Sequence, residues 1–194
     1  LTKKDKVTDS KIIKQEISRD TFLLDNLLNY QSEEALIKAF GKSAVTRAEE
    51  FSSEVEGSWW VTVLFKGTKN EVRFLWSDGN KYEIPDKIYH TGKASFNYLS
   101  DWKTSEGIRL GTTIPELEKL NKGAFTFYGF SWNFEGQVNW TDQARHAKGV
   151  YVSLRIPEEN RIKEIEGDQE ISSDSELAKQ TKPVVGFIEL RKIK

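Results

Sequence analysis

The fold prediction rests on the segment Thr113-Ile-Pro-Glu-Leu-Glu-Lys-Leu-Asn-Lys-Gly123 and on an earlier segment of similar pattern, Ser32-Glu-Glu-Ala-Leu-Ile-Lys-Ala-Phe-Gly41. Both begin with a hydroxyl residue that can cap a helix, carry glutamate in the first turn, and end at a glycine suited to a left-handed stop. Thr113 and Glu116 have capping-box spacing, and Pro115 lies in the first turn, where its missing N–H costs nothing. The sequence therefore predicts two short helices of one design.

Runs typical of β-strands follow each predicted helix. Polar and apolar side chains alternate over residues 71–76 and, most regularly, over residues 149–156, as in strands with one buried face. Further strands are predicted over residues 59–65, 124–130, 137–140 and 184–190. A short helix followed by antiparallel strands, occurring twice, predicts an α+β fold with two tandem repeats. In that fold the helices cover one face of the sheet.

The same pattern divides the chain into three segments. Residues 1–30 are predicted to be an N-terminal tether with apolar residues at roughly helical spacing near its end. Residues 31–105 form the first helix-plus-sheet half, and residues 106–194 form the second. Within the second half, residues 158–182 contain 8 acidic and 4 basic side chains. That charge predicts a long, solvated and mobile acidic loop.

Composition excludes several function classes. The 194 residues include no cysteine, which rules out disulfides, cysteine nucleophiles and thiolate metal sites. Since 29 Lys and Arg face 30 Asp and Glu, we expect no basic surface and no nucleic-acid partner. Neither His90 nor His146 lies in a metal-ligand motif, and no G-x-S-x-G segment occurs. We therefore expect no catalytic residue, no metal site and no cofactor.

Seven aromatic residues lie within the 16 residues from Phe125 to Trp140. An exposed aromatic strand face suits a protein hot spot, a peptide groove or a stacked sugar. The alternative is a core filled with large rings. The candidate binding residues of this segment are Tyr128, Phe130, Trp132 and Trp140.

Two carboxylates flank these rings. Glu135 and Asp142 are the acid pair to consider for glycoside hydrolysis, which needs two carboxyl groups roughly 5–10 Å apart in a cleft. The alternative is that both are solvated charges on hairpin loops.

The segment at residues 106–121, together with Phe125-Thr-Phe-Tyr-Gly-Phe-Ser-Trp132, resembles a family of uncharacterised exported bacterial proteins, many of them predicted lipoproteins. In that family a "GIxxGTxxxELEKLN" segment leads to an aromatic "FYGFxW" strand. Leu64-Phe-Lys-Gly-Thr-Lys-Asn-Glu71 in the first half is similar as well. The doubled unit is more distantly similar to β-lactamase inhibitor protein and to small lipoproteins of outer-membrane assembly, a likeness of fold that assigns no residue roles.

The resemblance implies a location in the periplasm or at the cell surface, with a lipid anchor upstream of Leu1 as the one expected membrane contact. With the missing catalytic motifs, it favours a non-enzymatic extracytoplasmic binding or scaffold protein of unknown ligand. Its partner would be a protein or a glycan bound by an aromatic sheet face. The alternatives are a carbohydrate-active hydrolase using dispersed carboxylates, and a proteinaceous inhibitor of a secreted enzyme.

Overall fold

The computed structural model describes residues 22–52, 56–141 and 149–192. Within these ranges there are four α-helices and nine β-strands. The helices are α1 (Leu24–Leu27), α2 (Glu33–Phe40), α3 (Ile114–Asn121) and α4 (Glu176–Thr181). The strands are β1 (Val45–Ser52), β2 (Gly57–Leu64), β3 (Val72–Asp78), β4 (Glu83–Thr91), β5 (Thr126–Tyr128), β6 (Val138–Asn139), β7 (Val150–Arg155), β8 (Glu170–Ser172) and β9 (Val184–Arg191).

The strands form two antiparallel sheets. The large sheet has six strands in the order β1-β2-β3-β4-β9-β7, and the small sheet has three in the order β6-β5-β8. Strand β9 lies between β4 and β7, because Ile88 of β4 faces Leu190 while Val152 of β7 faces Ile188. The molecule is thus a mixed α/β fold that is mostly β, which confirms the α+β prediction at this level. In the described ranges, no helix is long and apolar enough to cross a membrane.

Both helices with the shared pattern form where the sequence places them. In α2 the Ser32 Oγ accepts a hydrogen bond from the Ala35 N–H at 3.2 Å, and the helix ends at Gly41 with φ +88°. In α3 the Glu116 carboxylate accepts the Thr113 N–H at 2.8 Å, as in a capping box. The end of α3 lies one residue before the predicted glycine, at Lys122 with φ +60°.

The two halves of the chain use their strands differently. The four strands of the first half, β1 to β4, follow one another in the large sheet. In the second half, β7 and β9 join that same sheet, whereas β5, β6 and β8 form the small one. The halves therefore share a sheet through the β4–β9 pair, and the tandem repeat stays a prediction.

The prediction of a long loop over residues 158–182 was wrong. The segment contains β8, α4 and two short 3₁₀ turns. Ile165, Ile171 and Ala178 are buried in it, and the Ser175 Oγ caps α4 by accepting the Ala178 N–H at 3.2 Å. A few apolar side chains spaced among the acids are enough to hold the segment against the core, so its net charge misled the prediction.

The core is one contiguous cluster of buried side chains drawn from both sheets and all four helices. A series of hydrogen bonds between polar side chains connects α2 to this core. The buried Glu33 carboxylate accepts hydrogen bonds from Arg47 Nη2 at 2.8 Å and from Thr62 Oγ1 at 2.7 Å. Thr62 Oγ1 in turn accepts the Trp76 indole N–H at 2.8 Å. Burial raises the pKa of the Glu33 carboxyl, but the hydrogen bonds from Arg47 and Thr62 outweigh it, so that this pKa lies below its usual value.

Candidate functional site

The aromatic segment after β5 contains both buried and exposed rings. Phe130 is only 1% exposed and packs edge-on against Phe127, with 6.4 Å between ring centroids. Trp140 is half-buried and packs against Phe125 at 5.7 Å. Phe130 and Trp140, two of the predicted binding residues, therefore contribute mainly to packing, and no exposed face is built on them.

The exposed rings lie in the connection between β5 and β6. Trp132 is 65% exposed and Phe134 is 63% exposed. The half-buried Tyr128 has its ring 5.7 Å from that of Phe134. We call residues 128–136 the aromatic loop. Asp142, the second acid of the predicted pair, lies outside the described residues.

The aromatic loop is fixed at several points of its backbone. Gly129 donates its N–H to the Gln169 carbonyl at 2.8 Å, and the Gly136 carbonyl accepts the Leu154 N–H of β7 at 2.8 Å. A Cβ on Gly136, which has φ +64°, would lie 2.3 Å from the Leu154 carbonyl oxygen, so only glycine fits there. Arg161 also donates a hydrogen bond to the Ser131 Oγ at 2.8 Å. These contacts hold the exposed rings on a rigid support.

A groove of about 350 Å³ adjoins the aromatic loop, and we call it the Arg155 groove. Its floor includes Phe130 and the end of β7. Its wall comes from the segment after β4 and from β9, since Gly92 and Gly186 also line it. The side chains that line the groove and can contact a ligand are Tyr98, Glu135, Ser153, Arg155, Glu158, Arg161 and Phe187.

Arg155 is the central cation of this groove. Its guanidinium carbon lies 3.6 Å from the centroid of the Tyr98 ring, in a cation–π contact. Its stem runs against β9, where a Cβ on Gly186 would come within 2.9 Å of the Arg155 Cβ. The Arg155 Nε is buried without a hydrogen-bond partner. Burial lowers the pKa of the guanidinium, and Tyr98 and Glu159 offset this only in part.

The other charges in the groove do not pair with Arg155. Arg161 forms an ion pair with Glu166 at 3.2 Å, outside the groove lining. Glu135 and Glu158 are exposed, and among the described residues neither forms an ion pair. The groove therefore places the unpaired Arg155 cation and two unpaired carboxylates beside flat apolar surfaces.

The larger cavity, of about 480 Å³, lies between α3, α4 and the start of β9. Three of its four charged side chains have partners. Glu118 accepts a hydrogen bond from Ser173 at 2.7 Å, Asp174 accepts one from Ser172 at 2.5 Å, and Lys179 pairs with Glu176 at 2.8 Å. The fourth, Lys182, is exposed and forms no ion pair within the described residues. Unlike the Arg155 groove, this cavity does not adjoin the aromatic loop.

Of the two histidines, the structure describes only His90. His90 is buried in β4, with its Nδ1 2.7 Å from the Glu71 carbonyl oxygen, and burial lowers its pKa. His146 lies outside the described residues. Over residues 22–52, 56–141 and 149–192, no group of three or more His, Cys, Asp or Glu side chains could hold a metal ion.

Arg155, Tyr98 and Phe187 were not among the predicted site residues, because three distant segments bring them together. One signal was present, because Arg155 follows Tyr151 and Ser153 on the polar side of the most regular predicted strand. No protein-family model, no curated protein and no solved structure matches this chain.

Proposed function

We propose that this chain is a non-enzymatic extracytoplasmic binding or scaffold protein that engages another protein through the aromatic loop and the Arg155 groove. The observation that carries the proposal is the pair of exposed rings, Trp132 at 65% and Phe134 at 63%, on a loop fixed by its backbone. Tryptophan, tyrosine and arginine dominate the binding energy of protein interfaces. Here these residue types lie side by side.

The support beneath the rings favours binding further. A loop that is already held in one conformation loses little entropy when a partner docks on it. Ser131 and Phe134 have φ values of +67° and +63°, a left-handed conformation that non-glycine residues rarely adopt. Strained backbone of this kind persists where the surroundings over-determine it, and it clusters at functional sites. The same features would serve an inhibitor that presents a rigid loop to a secreted enzyme.

A carbohydrate-active hydrolase is the second candidate, because Glu135 and Glu158 both line the Arg155 groove. Glycoside hydrolysis needs one carboxyl group kept protonated by an apolar pocket and one kept ionised. Both side chains are exposed to solvent. Neither side chain therefore lies in an apolar pocket, so binding is the better supported activity.

The remaining parts of the proposal rest on the sequence. The segment resembling exported lipoproteins supports a place in the periplasm or at the cell surface, with a lipid anchor upstream of Leu1. The repeated helix pattern supports two tandem units, each a short helix followed by antiparallel strands, with the helices over one sheet face. A glycan partner stays an alternative for the exposed rings.

Selection from a displayed library of random peptides tests the proposal. The wild-type protein should enrich a consensus peptide whose synthetic form binds at least about tenfold more weakly to the Trp132→Ala, Phe134→Ser double variant, as expected for lost hot-spot rings. Trp60→Ala is the matched control, because Trp60 is 51% exposed on β2, away from the loop. Equal affinity for the wild type and the double variant would refute the proposed surface. Binding to a glycan array without any peptide enrichment would shift the assignment to a glycan.

A further inference from the structure

Arg155 differs from the other arginines in the strands of the large sheet. Arg47 pairs with Glu33 at 2.8 Å, Arg73 with Glu71 at 3.0 Å, and Arg191 with Glu189 at 2.5 Å. No described side chain forms an ion pair or a hydrogen bond with the guanidinium of Arg155. Glu159 attracts the guanidinium electrostatically but forms no ion pair with it. Buried polar groups in proteins are nearly always hydrogen-bonded. The chain therefore leaves this cation open to a hydrogen-bonded anion from outside.

The guanidinium is also held in place for a ligand. The Tyr98 ring supports it on one side at 3.6 Å, and Gly186 lets its stem lie against β9. Gly92 makes room for Tyr98, since a Cβ there would come within 3.0 Å of that ring. Tyr98 itself has φ +56°, a left-handed conformation that is unfavourable for a non-glycine residue. This backbone strain serves to position the ring beneath Arg155, as is common at binding sites.

The carboxylates of the groove favour a singly charged anion over a doubly charged one. Glu135 and Glu158 line the same space and repel a doubly charged group such as phosphate. A single carboxylate meets less repulsion and matches the fork of the guanidinium. The rings of Tyr98 and Phe187 provide flat apolar surface beside it for the carbon skeleton that bears the acid. The exposed Glu135 carboxylate can also accept a hydrogen bond from a neighbouring N–H group of the ligand.

We infer that the Arg155 groove binds a carboxylate of the peptide or protein partner, in hydrogen-bonded contact with the terminal nitrogens of Arg155. The inference rests on the proposed function, because the groove adjoins the aromatic loop and would be occupied by the same partner. The carboxylate comes from an aspartate or glutamate side chain or from a free C-terminus. Both sources present the same group, and the experiment separates them.

The test uses small probes followed by nuclear magnetic resonance of the arginine Nε–Hε signals. N-acetyl-L-phenylalanine represents a free C-terminus, and N-acetyl-L-aspartic acid α-amide represents an acidic side chain. The carboxamide of N-acetyl-L-phenylalanine is the neutral control. We expect a carboxylate probe to shift the Arg155 signal, and whichever of the two binds more tightly identifies the source. The carboxamide should bind at least about tenfold more weakly, as expected when a hydrogen-bonded ion pair is lost.

Variants separate the charge from the shape of the groove. Arg155→Met should weaken binding of the carboxylate probe by at least about tenfold, and Arg155→Lys by a smaller factor, since lysine keeps the charge but not the fork. Arg191→Met on the neighbouring strand is the matched control and should bind as the wild type does. Thermal melts show whether each variant folds, and Arg155→Lys keeps the test decisive if Arg155→Met unfolds.

Three results would overturn the inference. They are equal binding of the acid and the carboxamide, equal binding by the wild type and a folded Arg155 variant, and tighter binding of inorganic phosphate or D-glucuronate than of either carboxylate probe. The outcome is separable from that of the proposed function. Loss of the consensus peptide with Trp132→Ala, Phe134→Ser but not with Arg155→Met would sink the inference and leave the aromatic loop as the proposed contact surface. The converse would sink only the proposed role of the aromatic loop.

Discussion

Replacing Thr62 with valine breaks the hydrogen-bond chain that ties α2 to the large sheet. Thr62 is completely buried, and its Oγ1 both donates to Glu33 at 2.7 Å and accepts the Trp76 indole N–H at 2.8 Å. Valine has nearly the same shape as threonine, so the substitution removes two hydrogen bonds without opening a cavity. The indole N–H would be left buried with no acceptor.

The expected loss of stability follows from these two bonds. A hydrogen bond to a charged group contributes about 1.5–3 kcal/mol and a neutral one about 1 kcal/mol. Glu33 keeps its two-point contact with Arg47, which favours the lower end of the first range. We therefore expect Thr62→Val to lower the free energy of unfolding by about 2.5 kcal/mol. For a chain of this length that corresponds to a melting temperature about 5–10 °C lower.

Urea denaturation followed by tryptophan fluorescence, with thermal melts by circular dichroism, measures the effect. Thr46→Val is the matched control, because Thr46 lies on β1 with an exposed side chain and should change stability by less than about 0.5 kcal/mol. A Trp76→Phe background tests the mechanism, since the indole donor is then absent and Thr62→Val should destabilise less. Equal effects of Thr62→Val and Thr46→Val, or an unchanged effect in the Trp76→Phe background, would refute the reasoning.

Three further predictions concern the pH dependence of stability, the backbone at Gly136 and the two tryptophan rings near the aromatic loop. The folded-state pKa of Glu33 is lowered, so its contribution to stability is present above the unfolded-state pKa of 4.5 and is lost as the pH falls below that value. Glu33→Gln should therefore make the urea midpoint less dependent on pH between about pH 6 and pH 3. An unchanged pH dependence would contradict this. Gly136→Ala should lower the unfolding free energy by at least about 2 kcal/mol, because φ is +64° and the Cβ would meet a carbonyl oxygen of β7 at 2.3 Å. The control Gly67→Ala, at φ +79° with open space around it, should lower the unfolding free energy by about 1 kcal/mol. Equal urea midpoints of the two variants would contradict the predicted clash at Gly136. Trp132→Ala should leave the melting temperature nearly unchanged, because the ring is exposed. Trp140 is half-buried, and Trp140→Ala should lower the unfolding free energy by about 2–3 kcal/mol. A larger loss of stability with Trp132→Ala than with Trp140→Ala would show that the loop packs differently.

The elements that could be predicted from the sequence are those whose signals are local. The caps of α2 and α3 are side-chain chemistry within three or four residues, and the alternation in β3 and β7 reflects one buried face. Strands β1 and β4 were not predicted, because β1 is an edge strand of largely polar composition and β4 contains a proline. Pro85 lies at the register shift between β3 and β4, where a missing N–H is tolerated.

The candidate site was harder to predict, because exposure is a property of the whole fold. The rings of Phe130 and Trp132 are two residues apart, yet the first is buried and the second points to solvent. Periodicity cannot separate them once the strand ends at Tyr128 and the chain turns. The Arg155 groove depends on Tyr98 and Phe187, whose meeting is fixed by the β4–β9 and β7–β9 pairings and not by any local motif.

The position of β9 between β4 and β7 has a consequence for the order of synthesis. Strands β1 to β4 can pair as soon as the first half has left the ribosome, since each lies beside its predecessor. Strand β7 emerges earlier than β9, its one neighbour in the large sheet among the described strands. The N–H and C=O groups on the β9 edge of β7 must wait unpaired until residues 184–191 follow. During translation the nascent chain therefore carries a ready template for wrong pairing, which makes the interval before β9 appears the stage most exposed to aggregation.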